Sequence, residues 1–142
     1  MTATATKPNP ALKAHFTSLT PGKLSGLRQI TDEKGRFRVF ALDQSNSFKK
    51  ALRALAEKLG KPAEPTYEQI RDCKIEMVKA LSPLSSAVLL DVNFGVRQAL
   101  NALSFPKSVG LIARSEASKD AGIPSEYEPG WSVEKIKKMG AA

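Results

Sequence analysis

Apolar and polar positions alternate along the chain in blocks that repeat as strand-to-helix units. Residues 37–41, Phe-Arg-Val-Phe-Ala, are rich in aromatic and β-branched character and give way at Leu42-Asp43-Gln44 to a polar Ser-Asn-Ser turn. A helical pattern follows at once. Phe48, Leu52, Leu55 and Leu59 recur on one face, with Lys49, Lys50, Arg53 and Glu57 opposite. This predicts a buried strand feeding an amphipathic helix. Asn46 or Ser47 suits the N-cap, because a short polar side chain accepts from the free amides of a first turn. Gly60 suits the stop.

The same unit returns further on. A second helix is predicted over 66–81, capped by Thr66, with Ile70, Cys73, Met77 and Leu81 as its apolar stripe. Ser82-Pro83 breaks it. Residues 87–90, Ala-Val-Leu-Leu, form a continuous apolar run ending in Asp91, followed by a turn over 92–95 and a helical stripe of Val96, Ala99, Leu100 and Leu103. A third apolar run, 109–113, is tipped by Arg114-Ser115-Glu116. After a long polar loop over 117–130, a last helix over 132–139 turns Val133 and Ile136 inward. Ahead of the first strand, Leu24, Leu27 and Ile30 predict a short helix over 23–31, placed to cap the bottom of a barrel.

Successive strand-to-helix units imply right-handed crossovers and a parallel sheet. The runs are apolar throughout, so both sheet faces are expected to be covered. Ligands of such sheets gather at the carboxyl ends of the strands, which makes Asp43, Gln44 and Asp91 a candidate rim. A closed barrel needs eight strands and ~250 residues. The chain therefore reads as the opening part of a larger fold.

With 142 residues, 42% hydrophobic and 25% charged, the chain suits one domain over 21–142 behind a flexible tail over 1–20. No apolar run approaches the ~18 to 20 residues that span a bilayer, and no secretory signal opens the chain. The single cysteine, Cys73, excludes an internal disulfide and is expected to serve as plain packing. Together these features point to the cytoplasm. A net charge of +8 raises nucleic-acid binding, but the basic residues are spread from Lys7 to Lys138 without a recognition motif. A solvated basic surface, or attraction of anionic small molecules, fits better. His15 is the only histidine and lies in the tail, so neither a Ser-His pair nor a metal cluster is expected. No glycine-rich phosphate or dinucleotide loop is present, and no cofactor is expected.

Four segments in order resemble the tagatose-1,6-bisphosphate aldolase family: P-G-K-L-S-G-L-R-Q-I-T-D-E-K-G-R-F at 21–37, A-L-D-Q at 41–44, L-L-D-x-x-F-G at 89–95 and G-W-S-V-E-K-I-K-K-M-G-A at 130–141. The resemblance implies the N-terminal portion of a (β/α)8 TIM barrel, its first three parallel strands with their helices. It also implies class I lyase chemistry: reversible cleavage of a ketose 1,6-bisphosphate, such as tagatose 1,6-bisphosphate, to dihydroxyacetone phosphate and glyceraldehyde 3-phosphate. Such enzymes use a lysine Schiff base and no metal, the protonated imine drawing in the electrons of the breaking C–C bond. The lysine attacks as the neutral amine, and carboxylates at neighbouring strand tips relay protons.

Carried over by position, Asp43 and Gln44 are the catalytic candidates, and Asp91 and Ser45 the substrate-binding ones. Asp43 also reads as a helix cap and Asp91 as a turn residue. The chain departs from the family at Ser45, where Arg is usual, at Val92 and Phe94, where Pro and Tyr are usual, and at Ser115, where an aromatic is common. Lys49, Lys50, Lys74 and Lys79 fall on helices and Lys107 before a strand, so none is expected at a strand's carboxyl end. The Schiff-base lysine of the family's plan lies beyond Ala142, and the isolated chain is expected to be inactive. The partner implied is a phosphorylated sugar, with homo-oligomerisation or completion by further strands. Two other readings stand beside this one: an aldolase for a modified sugar phosphate, and a non-catalytic α/β binding or assembly module.

Overall fold

Thr20 opens the first helix by accepting from the Lys23 amide, with Pro21 in the first turn where its missing N–H costs nothing. The computed structural model describes residues 18–61, 64–117 and 124–142; the tail with His15 and part of the loop over 117–130 lie outside them. In chain order the elements are α1 (Pro21–Gln29), β1 (Val39–Leu42), α2 (Asn46–Lys58), α3 (Tyr67–Leu81), a 3-10 turn (Ser82–Leu84), β2 (Ala87–Asp91), α4 (Val96–Asn101), β3 (Gly110–Arg114) and α5 (Val133–Lys138). The three strands form one parallel sheet in the order β1-β2-β3. The first strand starts two residues later than the apolar pattern suggests, leaving Phe37 exposed.

In a parallel sheet, register partners share a face. Phe40, Val88 and Leu111 therefore lie with Leu42, Leu90 and Ala113 on one side. This side meets the helices, packing Leu42, Val88, Leu90 and Leu111 with Val78 of α3, Val96 and Ala99 of α4, and Ile136 of α5. The opposite face carries Val39, Ala41, Leu89 and Ile112. The expectation of two covered faces holds there only in part: Ala87 and Asp91 are fully buried, but Val39 and Ala41 are exposed, and Leu89 and Ile112 only half-buried.

The helix pattern needs two further corrections. The apolar stripe of α2 forms, but no residue of α2 is buried, and Leu55 and Leu59 are 53% and 67% exposed. In α3 the Thr66 cap is reinforced by a reciprocal bond from Gln69. Its buried line, however, is Ile70, Lys74 and Val78; Cys73 and Met77 are half-buried and Leu81 is exposed. The helix faces the sheet along an i, i+4 line that includes a lysine.

As expected, α1 sits at the amino ends of the strands. The Ser86 hydroxyl donates to the Ile30 carbonyl at 2.8 Å and accepts from the Arg38 amide at 2.9 Å. Gly110 lies so close that a Cβ there would stand 2.1 Å from the Gln29 carbonyl oxygen. Beyond α5 the backbone returns to the sheet: the Ala142 amide donates to the Leu111 carbonyl of β3 at 2.9 Å. With β2 on its other side, β3 thus meets the segment after α5 along its remaining edge.

Candidate active site

Asp91 ends β2 and is fully buried. One carboxylate oxygen accepts from the amides of Asn93 (3.0 Å) and Phe94 (2.7 Å), the local bonding by which a short acidic side chain turns a strand toward a helix. The other oxygen pairs with the Lys74 ammonium. Lys74 belongs to α3, and its stem runs inward between Ile70 and Val78 while its head reaches the strand tips. There it also donates to the carbonyls of Leu42 (3.0 Å) and Gln44 (2.7 Å), so all three ammonium donors have acceptors. The ammonium lies 5.3 Å from the centre of the Phe48 ring. Burial pushes the Lys74 pKa below its ordinary value, and the Asp91 carboxylate opposes that without reversing it.

This corrects the expectation that Lys74, falling on a helix, stands away from the strands' carboxyl ends. The expected stripe of Ile70, Cys73, Met77 and Leu81 leaves Lys74 out, yet it stands four residues from both Ile70 and Val78. That spacing was the available signal.

Arg114 ends β3 and donates from Nη2 to the Ser45 hydroxyl oxygen at 3.1 Å. Since β2 lies between β1 and β3, this contact crosses about 10 Å of sheet, two strand spacings, which needs a side chain of arginine's length. Ser45, buried, is the N-cap of α2 in place of the expected Asn46 or Ser47, and its side chain makes no capping bond. The Asp43 carboxylate is half-buried and accepts no hydrogen bond from the described residues, while Gln44 is exposed with its backbone carbonyl held by Lys74. Phe94 stacks on Tyr67 with ring centres 5.4 Å apart, and the Lys49 ammonium stands 4.9 Å from the Phe94 centre. Ser115, half-buried, accepts through its carbonyl from the Glu128 amide.

The four sequence candidates thus share one rim, where Lys74 bonds Asp91 and the Gln44 carbonyl and Arg114 bonds Ser45, two cations that pattern reading gave no role. No cluster of three or more metal-ligating side chains occurs among the described residues, and no described helix is long and apolar enough to cross a membrane.

A three-stranded parallel sheet with its helices packed on one face defines an α/β protein, a class in which ligands gather at the carboxyl ends of the strands. No protein-family model matches the chain. Over 128 residues it is 31% identical to tagatose 1,6-diphosphate aldolase 2 of Streptococcus agalactiae serotype III, covering 87% of this chain and 36% of that protein. Against tagatose 1,6-diphosphate aldolase 2 of Enterococcus faecalis it is 32% identical over 127 residues, again 87% and 36%. Aldolase 1 of E. faecalis is 30% identical over 122 residues, 84% and 35%. Over most of its length the chain is thus a relative of the tagatose 1,6-diphosphate aldolases, and it spans about a third of the length of the proteins it matches.

Proposed function

We propose that the chain supplies three consecutive strand-helix units of a (β/α)8 barrel. In it a ketose 1,6-bisphosphate such as tagatose 1,6-bisphosphate is cleaved reversibly to dihydroxyacetone phosphate and glyceraldehyde 3-phosphate. The observation that carries this reading is the gathering of Asp43, Gln44, Ser45 and Asp91 at the carboxyl ends of a parallel sheet in a chain related to tagatose aldolases. The return of Ala142 to the edge of β3 supports continuation of the sheet by a further parallel strand.

Asp43 is the proton relay, because its carboxylate lies in the field of the Lys74 ammonium yet accepts no hydrogen bond among the described residues, while Asp91 is fully engaged. Gln44 orients the substrate from an exposed position on the same turn. Asp91 acts on the substrate side by fixing, with Lys74, the turns after β1 and β2. Lys74 does not form the imine: it is 1% exposed and its three donors are occupied. A lysine on a strand outside the three seen here takes that role, and this polypeptide alone does not cleave the bisphosphate.

Two experiments test the reading. Borohydride reduction of the isolated chain with dihydroxyacetone phosphate is expected to leave no covalent adduct, and a stable adduct on Lys74 would overturn the assignment. Grafting residues 21–142 in place of the matching third of the E. faecalis aldolase is expected to retain cleavage of tagatose 1,6-bisphosphate. Asp43→Asn in that graft is expected to lower kcat about 100-fold or more. A folded graft without activity sinks the aldolase reading.

A further inference from the structure

The rim holds two cations in different surroundings. Lys74 has every ammonium donor committed. Arg114 is half-buried, bonds through Nη2 to Ser45, and pairs with no carboxylate among the described residues. Its Nε is buried and has no acceptor. A guanidinium offers five donors in a planar fork, and a buried donor without a partner is costly until one arrives.

Geometry limits what that partner is. Pairing of Asp91 with Arg114 places Arg114 on the face of Leu89 and Ile112, the side of the sheet left partly open. A ligand therefore approaches it from that side. Ser45 begins the 13-residue α2; its hydroxyl receives Arg114 and makes no capping bond, so the first-turn amides are uncapped by a side chain. No acidic residue stands in that turn. Uncapped amides and a guanidinium edge thus flank one buried hydroxyl, and both favour an oxyanion.

We propose that Arg114, seated on Ser45, recognises the phosphomonoester group of a small substrate, with its Nε–Nη2 edge as the two-pronged donor. The inference rests on the phosphosugar reading above and adds to it the residue that reads the phosphate. Asp43 repels a dianion, and the tip of β2 is occupied by the Asp91–Lys74 pair, so the group sits toward β3 and the start of α2.

The test is titration of the 15N-labelled chain with inorganic phosphate and with dihydroxyacetone phosphate, at ionic strength held constant with sodium chloride. Saturable shifts are expected at Arg114 Nε–H and at the amides of Ser45, Asn46 and Ser47 with both probes. Arg114→Gln is expected to weaken both at least about tenfold. Arg114→Lys, which keeps the charge and loses the fork, is expected to weaken them less. Arg97→Gln, exposed on α4, is expected to change nothing. Non-saturating shifts scattered over the basic surface, binding of phosphate without the ester, or equal affinity in Arg114→Gln would each overturn the proposal. Should Arg114→Gln not fold, Arg114→Lys and the Arg114 Nε resonance of the unsubstituted chain decide. Phosphate binding through Arg114 in an active-site graft that cleaves nothing removes the aldolase reading alone; cleavage with unchanged KM in grafted Arg114→Gln removes this inference alone.

Discussion

At the scale of single residues, the Lys74–Asp91 pair governs the rim because each partner is hidden from water. Such a pair gives modest net stability, but losing one member strands a charge in a low-dielectric site. Lys74→Met is expected to cost about 3–5 kcal/mol by urea unfolding. Adding Asp91→Asn should recover part of that loss, since the amide oxygen still accepts from Asn93 and Phe94 while the stranded charge is gone. Equal losses in the single and double variants would show that the charge is not the cause. A second carboxylate acts at the opposite end of the sheet. Asp32 accepts from the backbone and side chain of Arg36 and from the Lys34 amide, which hold its pKa at about 2 against an ordinary 3.8. With the folded pKa depressed, its stabilisation is complete above pH ~4 and drains away as pH falls toward ~2. Urea midpoints across that window should fall more steeply for the unsubstituted chain than for Asp32→Asn; parallel slopes would contradict the assignment.

At the scale of elements, the contact of α1 with β3 depends on a missing Cβ. Gly110→Ala sets a methyl against the carbonyl of Gln29, backbone that cannot rotate away, and is expected to lower stability by about 1–3 kcal/mol. Gly22→Ala, with nothing within 4 Å of the new carbon, is expected to raise it by up to about 1 kcal/mol through helix propensity. Thermal unfolding of the two variants checks the sign of each. The elements themselves were legible because their periods differ: continuous apolar runs gave β2 and β3, and the Thr66 cap with its stripe gave α3. What the pattern could not carry was which surfaces meet. The apolar line of α2 identifies a face, and only tertiary packing decides whether Leu55 and Leu59 find a cover. Lys74 was missed because a period argument sorts residues by polarity, whereas its stem is apolar and its head meets carbonyls that exist only where two strands end together. Arg114 was visible at a strand tip, but its reach to Ser45 follows from the sheet order β1-β2-β3, which no local pattern encodes.

At the scale of the molecule, apolar surface stays open on one face of the sheet and along α2. Val39 and Ala41 lie bare on one sheet face, and Leu55 of α2 and Leu59 just beyond its end border a cavity of about 320 Å³ shared with Leu52, Ala56 and Pro65. Burying such side chains is worth about 25 cal/mol per Å², and an unpaired strand edge offers backbone partners as well. The isolated 142-residue chain is therefore expected to associate as its concentration rises into the tens of micromolar. Its net charge of +8 opposes that association, so the effect should grow as salt screens the repulsion. Val39→Lys with Leu59→Glu places charges on the two bare surfaces without touching the rim, and is expected to shift sedimentation toward the monomer with far-UV circular dichroism unchanged. A chain that stays monomeric at high salt and high concentration would mean that these surfaces are not sticky.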